Sequence, residues 1–501
     1  MVATSLLASG LTDPTRAEEL LKISYDTPFE IRNFVNNSFT TAGDATEFLP
    51  VFQPSTGRQF AKLPVTSADA VEKAIDAANV AFKSWSKTTR HQRSQYLRTI
   101  AELIQKKREI FAIWESIDQG KTLERARVEV DRAISNFSYF STYILHEENA
   151  ARMIDGVALT YEHRSPAGVF GLISPWNMPL YLLTWKIAPC IAFGCTAVAK
   201  PSEVTSMSAY LLASVFAEAK LPPGVVNVVF GNGAVTGSAL TRSPAIKGIS
   251  FTGGTATGIQ IRRDTASDIG KHLSLELGGK NPTLVFDDVD LEAAVSLAAT
   301  AAFTNQGEVC LCGSRIYVQQ RIYDDFVTRF KTHVSKSFRT KHEVGAIVSL
   351  QHYDKVRSYL ELAKAEQAVF ETGGVPVAKP SEGYWIEPTV LTGVATSSRI
   401  MQEEIFGPVV TIAPFDTEDD AVRLANDNPN GLASILLTKD GARMRRVGEQ
   451  LEAGLVWVNC WLVRELGTPF GGMKASGTGR EGGAYSREVF TNVRTLHIPS
   501  V

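Results

Sequence analysis

The chain reads as an α/β protein: two doubly wound α/β domains in series, plus a small β element. Three observations carry this reading. From residue 168, short apolar runs alternate with longer helix-like stretches, as in a parallel sheet with helices on both faces. The same alternation restarts near residue 283. Residues 146–166 interrupt the first unit with a stretch resembling a hairpin.

Residues 67–137 read as helices, because Val71, Ala74, Ile75, Ala78, Phe82 and Trp85 keep helical spacing while charge fills the other face. The 146–166 segment is Arg/Glu-rich and then runs Val157–Tyr161, and it would need a partner edge to bury its apolar face. The first set of strands is Val169–Ile173, Thr196–Ala199, Val225–Phe230, Ile249–Thr252 and Leu273–Leu275. The second set is Thr283–Phe286, Arg315–Gln319, Gly345–Val348, Val409–Ile412, Leu432–Thr438 and Leu455–Val458. A helix starts near Asp290, an acidic N-cap candidate, and ends at Gly307.

With 501 residues there is ample length for a sizeable core. The net charge of −2 gives no long-range attraction to nucleic acid or membrane. The five cysteines, an odd number without C-x-x-C, argue against a disulfide framework and a structural zinc site, so a reducing, cytoplasmic setting is expected and no metal. Met1–Thr12 lacks the basic start and cleavage pattern of a secretory signal. Pro499-Ser500-Val501 is not a peroxisomal tripeptide. The longest apolar run, near Leu180–Gly194, is broken by Lys186 and Pro189.

Cys310 lies in Asn305-Gln306-Gly307-Glu308-Val309-Cys310-Leu311-Cys312, a polar turn between a helix and a strand. An inert cysteine usually sits in an apolar run, whereas a nucleophilic thiol needs backbone N–H groups and access. On this segment alone burial remains the better guess. Four further features stand at expected strand C-termini, where open α/β sheets bind ligands. They are Pro175-Trp176-Asn177-Met178-Pro179, Lys200-Pro201-Ser202-Glu203, Phe251-Thr252-Gly253-Gly254-Thr255 and Glu276-Leu277-Gly278-Gly279-Lys280. Asn177 can donate from its amide, but an Asx-turn explains it equally. Glu203 could accept from a ribose hydroxyl, and a solvated turn is an equal alternative. The Gly-rich turn opens a helix as anion sites do, although its spacing is not G-x-G-x-x-G. Glu276 beside two glycines leaves room for a substrate or water.

Together and in this order these motifs resemble the aldehyde dehydrogenase superfamily. The resemblance covers nearly the whole chain and extends to Glu403–Pro408 and Pro469–Gly483. It implies that Cys310 is the nucleophile, that Asn177 and the Cys310 N–H form an oxyanion hole, and that Glu276 activates the hydrolytic water, with Cys312 a bystander. It implies NAD as cofactor, contacted by Trp176, Lys200, Glu203, Gly253, Gly254, Leu277, Glu404 and Phe406. Many relatives carry Ser at the Gly254 position, so here pyrophosphate contacts would fall to backbone N–H groups. The implied division is residues 1–145 and 167–275 for NAD, 276–478 for catalysis, and 146–166 with 479–501 for assembly into a homodimer or homotetramer.

Substrate choice points to Arg464, where many relatives place an apolar or aromatic residue, with Phe470 and Arg127 as further candidates. An arginine in a substrate funnel suits a carboxylate. Asn459–Leu466 and Asn305–Arg315 resemble the subgroup acting on 2-aminomuconate and 2-hydroxymuconate semialdehydes. The expected substrate is therefore an aldehyde with a carboxylate at its far end. The alternatives are a broad-specificity neutral aldehyde dehydrogenase, a coenzyme A-acylating relative, a cysteine hydrolase pairing Cys310 with His272, or a non-catalytic protein. The presence of Glu276 speaks against coenzyme A as acyl acceptor.

Overall fold

The computed structural model describes residues 24–40, 47–338 and 341–500; the reading of Met1–Thr12 lies outside them. An eight-stranded sheet has at its centre five parallel strands in the spatial order 226–228, 196–200, 169–173, 248–252, 272–276. The order reverses between Val169–Ile173 and Gly248–Thr252, which opens a crevice at their C-terminal ends. Trp176 and Asn177 follow the first of these strands, and Gly253 and Gly254 follow the second. The strands of this centre are almost wholly buried, as expected for a parallel sheet covered on both faces.

A seven-stranded sheet follows, in the order 369–372, 389–392, 409–415, 315–319, 282–285, 433–437, 455–458, parallel except for the first pair. Cys310, Glu404 and Phe406 stand just before strands of this sheet, at its N-terminal edge. Glu276 ends one sheet and Pro282 starts the other, so the C-terminal edge of the first adjoins the N-terminal edge of the second. Residues 151–154, 158–166 and 491–499 form a separate antiparallel three-stranded sheet.

Two expectations are corrected. Gly345–Val348 is not a strand. Its N–H groups go to three unrelated acceptors: Ala346 donates to Gly120 O, Ile347 to Tyr384 O, and Val348 to Glu308 Oε1. The helix from Asp290 stops at Phe303, and Asn305, Gln306 and Gly307 take left-handed φ values of 54°, 53° and 72°. Short strands at 34–35 and 38–39 extend the first sheet, and the edge strand 369–372 extends the second. Among the described residues no helix is long and apolar enough to cross a membrane.

Candidate active site

Asn177 is held from below by buried charge. The helix Pro179–Ala192 begins with proline at its first turn, where no N–H is needed. Glu115 accepts from Leu180 N (3.0 Å) and Glu129 from Tyr181 N (3.4 Å), satisfying free donors of that turn. Lys121 pairs with both carboxylates and donates to the Asn177 carbonyl at 3.1 Å. The Asn177 amide donates one hydrogen to Glu308 O at 2.9 Å. Its second hydrogen is available to a ligand.

The left-handed turn before Cys310 survives because its neighbours over-determine it. Gln306 donates to Gln119, Glu308 and Ala346 O. The buried Glu308 carboxylate accepts from Gln119, Gln306 and Val348 N. A Cβ on Gly307 would lie 2.2 Å from Gly407 O, so glycine is required there on space as well as on φ. Asn281 Nδ2 clasps the far side of the turn, donating to Cys310 O (2.7 Å) and Cys312 O (2.9 Å).

Cys310 is half-buried, and burial first, then the carboxylates of Glu404 and Glu276, push its thiol up. Arg464 acts in the opposite direction. Cys312 is buried and pushed up to about 12, chiefly by burial. Glu276 is buried, and neither carboxylate oxygen has a hydrogen-bond partner. Burial and Glu481 raise it well above the usual range, while Lys186, Arg464 and Arg480 pull it down. When ionised, such a group is a stronger base than an ordinary carboxylate and can take a proton from water.

Trp176, Asn177, Gly253, Gly254, Leu277, Cys310, Glu404 and Phe406 all line one cavity of ≈ 210 Å³. Trp176 meets Phe406 edge-on at 5.2 Å. Glu404 accepts from Gly279 N at 2.9 Å, and a Cβ on Gly278 would lie 2.2 Å from Glu404 Oε2. Lys200 is buried and bonds Glu203 at 3.3 Å. Gly254 caps the helix Thr255–Thr265 without a side-chain bond, and a Cβ there would meet nothing within 4 Å. The opening turn of that helix thus has no side-chain cap, and its Gly254 lines the cavity, where backbone N–H groups suit a pyrophosphate. These residues fit NAD.

Arg464 lies with its guanidinium 3.9 Å from the Phe470 ring centre and 4.3 Å from Trp185. Nη1 donates to Tyr181 Oη at 2.7 Å, and Nη2 is buried without a partner. Glu465 does not take it, accepting instead from Gly467 N. Arg127 is not in this group: it forms an ion pair with Glu109 at 3.0 Å. Arg132, from the same helix, stands there in its place, donating to Tyr181 Oη at 3.2 Å and lying over that ring.

Several groups escaped the sequence reading. Lys186 and Glu481 pair at 3.4 Å beside Glu276, bridged by Ser250, with Ser274 and Trp185 also donating to Glu481. Their signals were a lone lysine in an apolar run and an acid in a Gly-rich tail. His352 lies 4.8 Å from Trp176 and is held neutral, pushed down to about 4 by burial. His272 does not line the cavity that Cys310 lines, and opens onto a different one with Arg480 and Val489. It starts the strand that Glu276 ends, roughly 13 Å away along the chain, and its Nδ1 contacts Val489 O.

These shifts set a thiol reactivity profile. Without cofactor, alkylation of Cys310 by iodoacetamide is expected to keep rising beyond pH 9, because the folded thiol titrates above its ordinary value. Peptide mass mapping of the alkylated protein checks this; a rate plateau near pH 7 would contradict it.

Residues 39–496 match the model of the aldehyde dehydrogenase family. The 2-aminomuconic semialdehyde dehydrogenase of Danio rerio is 45% identical over 481 residues, 93% of this chain and 98% of that one. A 2-hydroxymuconic semialdehyde dehydrogenase from a Pseudomonas species is 40% identical over 482 residues, 93% of this chain and 99% of that one. The NAD+ complex of an aldehyde dehydrogenase from Bacillus cereus superposes with a TM-score of 0.90 at 34% identity, covering 94% of this chain and 97% of that one. A match of this extent, over a chain that brings Asn177, Gly253, Leu277, Cys310 and Glu404 to one cavity, makes this protein a member of the aldehyde dehydrogenase family.

Proposed function

We propose that the protein oxidises an aldehyde carrying a carboxylate at its far end, of the 2-aminomuconate or 2-hydroxymuconate 6-semialdehyde class, to the corresponding acid with NAD. The observation that carries the substrate class is Arg464, a charged fork wedged between Phe470 and Trp185 with one buried nitrogen unpartnered. A carboxylate satisfies that nitrogen in a bidentate pair, with Arg132 and Tyr181 beside it. The names of the relatives support the same class.

The residues divide the work. Cys310 attacks the aldehyde carbon as thiolate, and the oxyanion falls between the Cys310 N–H and the free hydrogen of the Asn177 amide. NAD, when bound, supplies the hydride acceptor. Two electrons and a proton leave the adduct as hydride, and a thioester on Cys310 remains. Glu276 takes a proton from water, whose oxygen attacks the thioester carbon. The C–S bond breaks, its electron pair returns to sulfur, and the acid departs. Residues after strands of the first sheet hold the cofactor together with Glu404 and Phe406 of the second, and a turn between two strands of the second holds the nucleophile.

We also infer a homodimer or homotetramer, built on the three-stranded sheet of residues 151–166 and 491–499, which leaves Met153, Ile154, Val493 and Ile498 exposed. The five free cysteines suit a reducing, cytoplasmic setting.

Replacing Arg464 by Ala is expected to lower kcat/KM for a dicarboxylic semialdehyde by about 10- to 100-fold, the worth of a lost charge-assisted pair, with little change for a neutral aldehyde. Equal losses for both substrates would contradict the carboxylate reading. Size-exclusion chromatography with light scattering is expected to give two or four times 54.6 kDa; a stable monomer would remove the assembly inference.

A further inference from the structure

Two ionic groups with buried, unpartnered atoms stand on either side of one dipeptide. Arg464 stacks on the Phe470 ring with Nη2 free. A Cβ on the next residue, Gly471, would lie 2.8 Å from Glu276 Oε1, and both Glu276 oxygens are free. A second route joins them. The Trp185 ring stacks on Arg464 at 4.3 Å, and its Nε1 donates to Glu481 Oε2 at 2.5 Å. Glu481 in turn is the acidic neighbour of Glu276.

We propose that Arg464 does more than bind: its charge sets the basicity of Glu276, so that a substrate carboxylate paired with Arg464 also tunes the base that hydrolyses its own thioester. The inference rests on the carboxylate reading above and extends it from binding to the release step.

Among the described residues, four charged groups act most on Glu276. Glu481 opposes its ionisation, while Lys186, Arg464 and Arg480 favour it, and the Cys310 thiol is a further titratable neighbour. Arg464 faces Tyr181, Arg132, Glu481 and Glu276. Lys186 is already matched by Glu481 and Ser250, and Arg480 donates to the carbonyls of Gly472 and Gly479. Arg464 is the member of this set whose charge an incoming acyl group can neutralise. With a neutral acyl group, Arg464 stays uncompensated and holds Glu276 ionised to lower pH. With an anionic acyl group, the pair is neutral overall, Glu276 binds its proton more tightly, and it becomes the stronger base above that pH.

The test follows decay of the Cys310 acyl-enzyme by quenched-flow mass spectrometry across pH, for a dicarboxylic semialdehyde and a neutral aldehyde of equal length. In the wild type the acid limb for the anionic acyl group is expected about one pH unit above that for the neutral one. Arg464→Met should raise the neutral-acyl limb by about the same amount, and Arg464→Lys, which keeps the charge, should restore it. Coincident limbs in the wild type, or a neutral-acyl limb unmoved in Arg464→Met, would overturn the inference. The wild-type comparison stands even where a variant fails to fold. The failure modes separate: kcat/KM covers steps through hydride loss. Lost substrate preference with an unmoved limb sinks this inference alone, whereas retained preference in Arg464→Met sinks the carboxylate reading and this inference with it.

Discussion

One buried side chain organises the centre of the molecule. Glu308 accepts through its carboxylate from Gln119, Gln306 and Val348, and through its carbonyl from Asn177 and Asn305. Those donors come from a helix end, the turn itself, the segment after residue 344, and the loop after a strand of the first sheet. Most are remote in sequence, so the left-handed backbone before Cys310 is stable only when the whole fold is assembled. The proposed nucleophile and the proposed oxyanion donor are therefore placed by the same residue. Burial raises the Glu308 carboxyl well above its ordinary range, and its three hydrogen bonds act to lower it. Oε1 takes its one hydrogen bond from Val348 N, and losing that donor would leave a buried acceptor unsatisfied, which generally costs more than the bond was worth.

The site beyond that turn is unusual in how much charge it hides. Glu115, Glu129 and Lys121 lie beneath Asn177, and Lys186 and Glu481 lie beneath Glu276. Buried ion pairs are poor sources of stability, because desolvation offsets most of the attraction. Here they fix geometry and local potential. The first set satisfies the opening turn of the helix carrying Tyr181 and Trp185, while the second surrounds a carboxyl left without any hydrogen bond. Arg464 joins the two regions through Tyr181 on one side and Trp185 on the other.

Much of this was legible in the residues. Continuous apolar runs mark parallel strands buried on both faces, and Val169–Ile173, Arg315–Gln319 and Leu455–Val458 coincide with strands. Gly345–Val348 has the same apolar look, but its donors go to Gly120 O, Tyr384 O and Glu308 Oε1 instead of a neighbouring strand. Apolar character alone does not distinguish a strand from a buried loop. The arginines of the helix Leu123–Tyr143 show where a finer rule was available. Arg125 and Arg132 are seven residues apart and share a side, whereas Arg127 lies about 200° around the helix from Arg125. Helical spacing thus separates Arg132, beside Arg464, from Arg127, beside Glu109. Lys186 and Glu481 were missed for another reason. Each pairs with a residue almost 300 positions away, and nothing local announces the partner.

The central claim is that Cys310 carries the acyl group and Glu276 releases it. The most direct measurement is intact-protein mass spectrometry of Glu276→Gln after a single turnover with NAD and a dicarboxylic semialdehyde. The account predicts one equivalent of NADH, one acyl adduct mapped to Cys310, and slow loss of that adduct. NADH release without an adduct on Cys310, or an adduct lost as fast as product forms in the wild type, would contradict it.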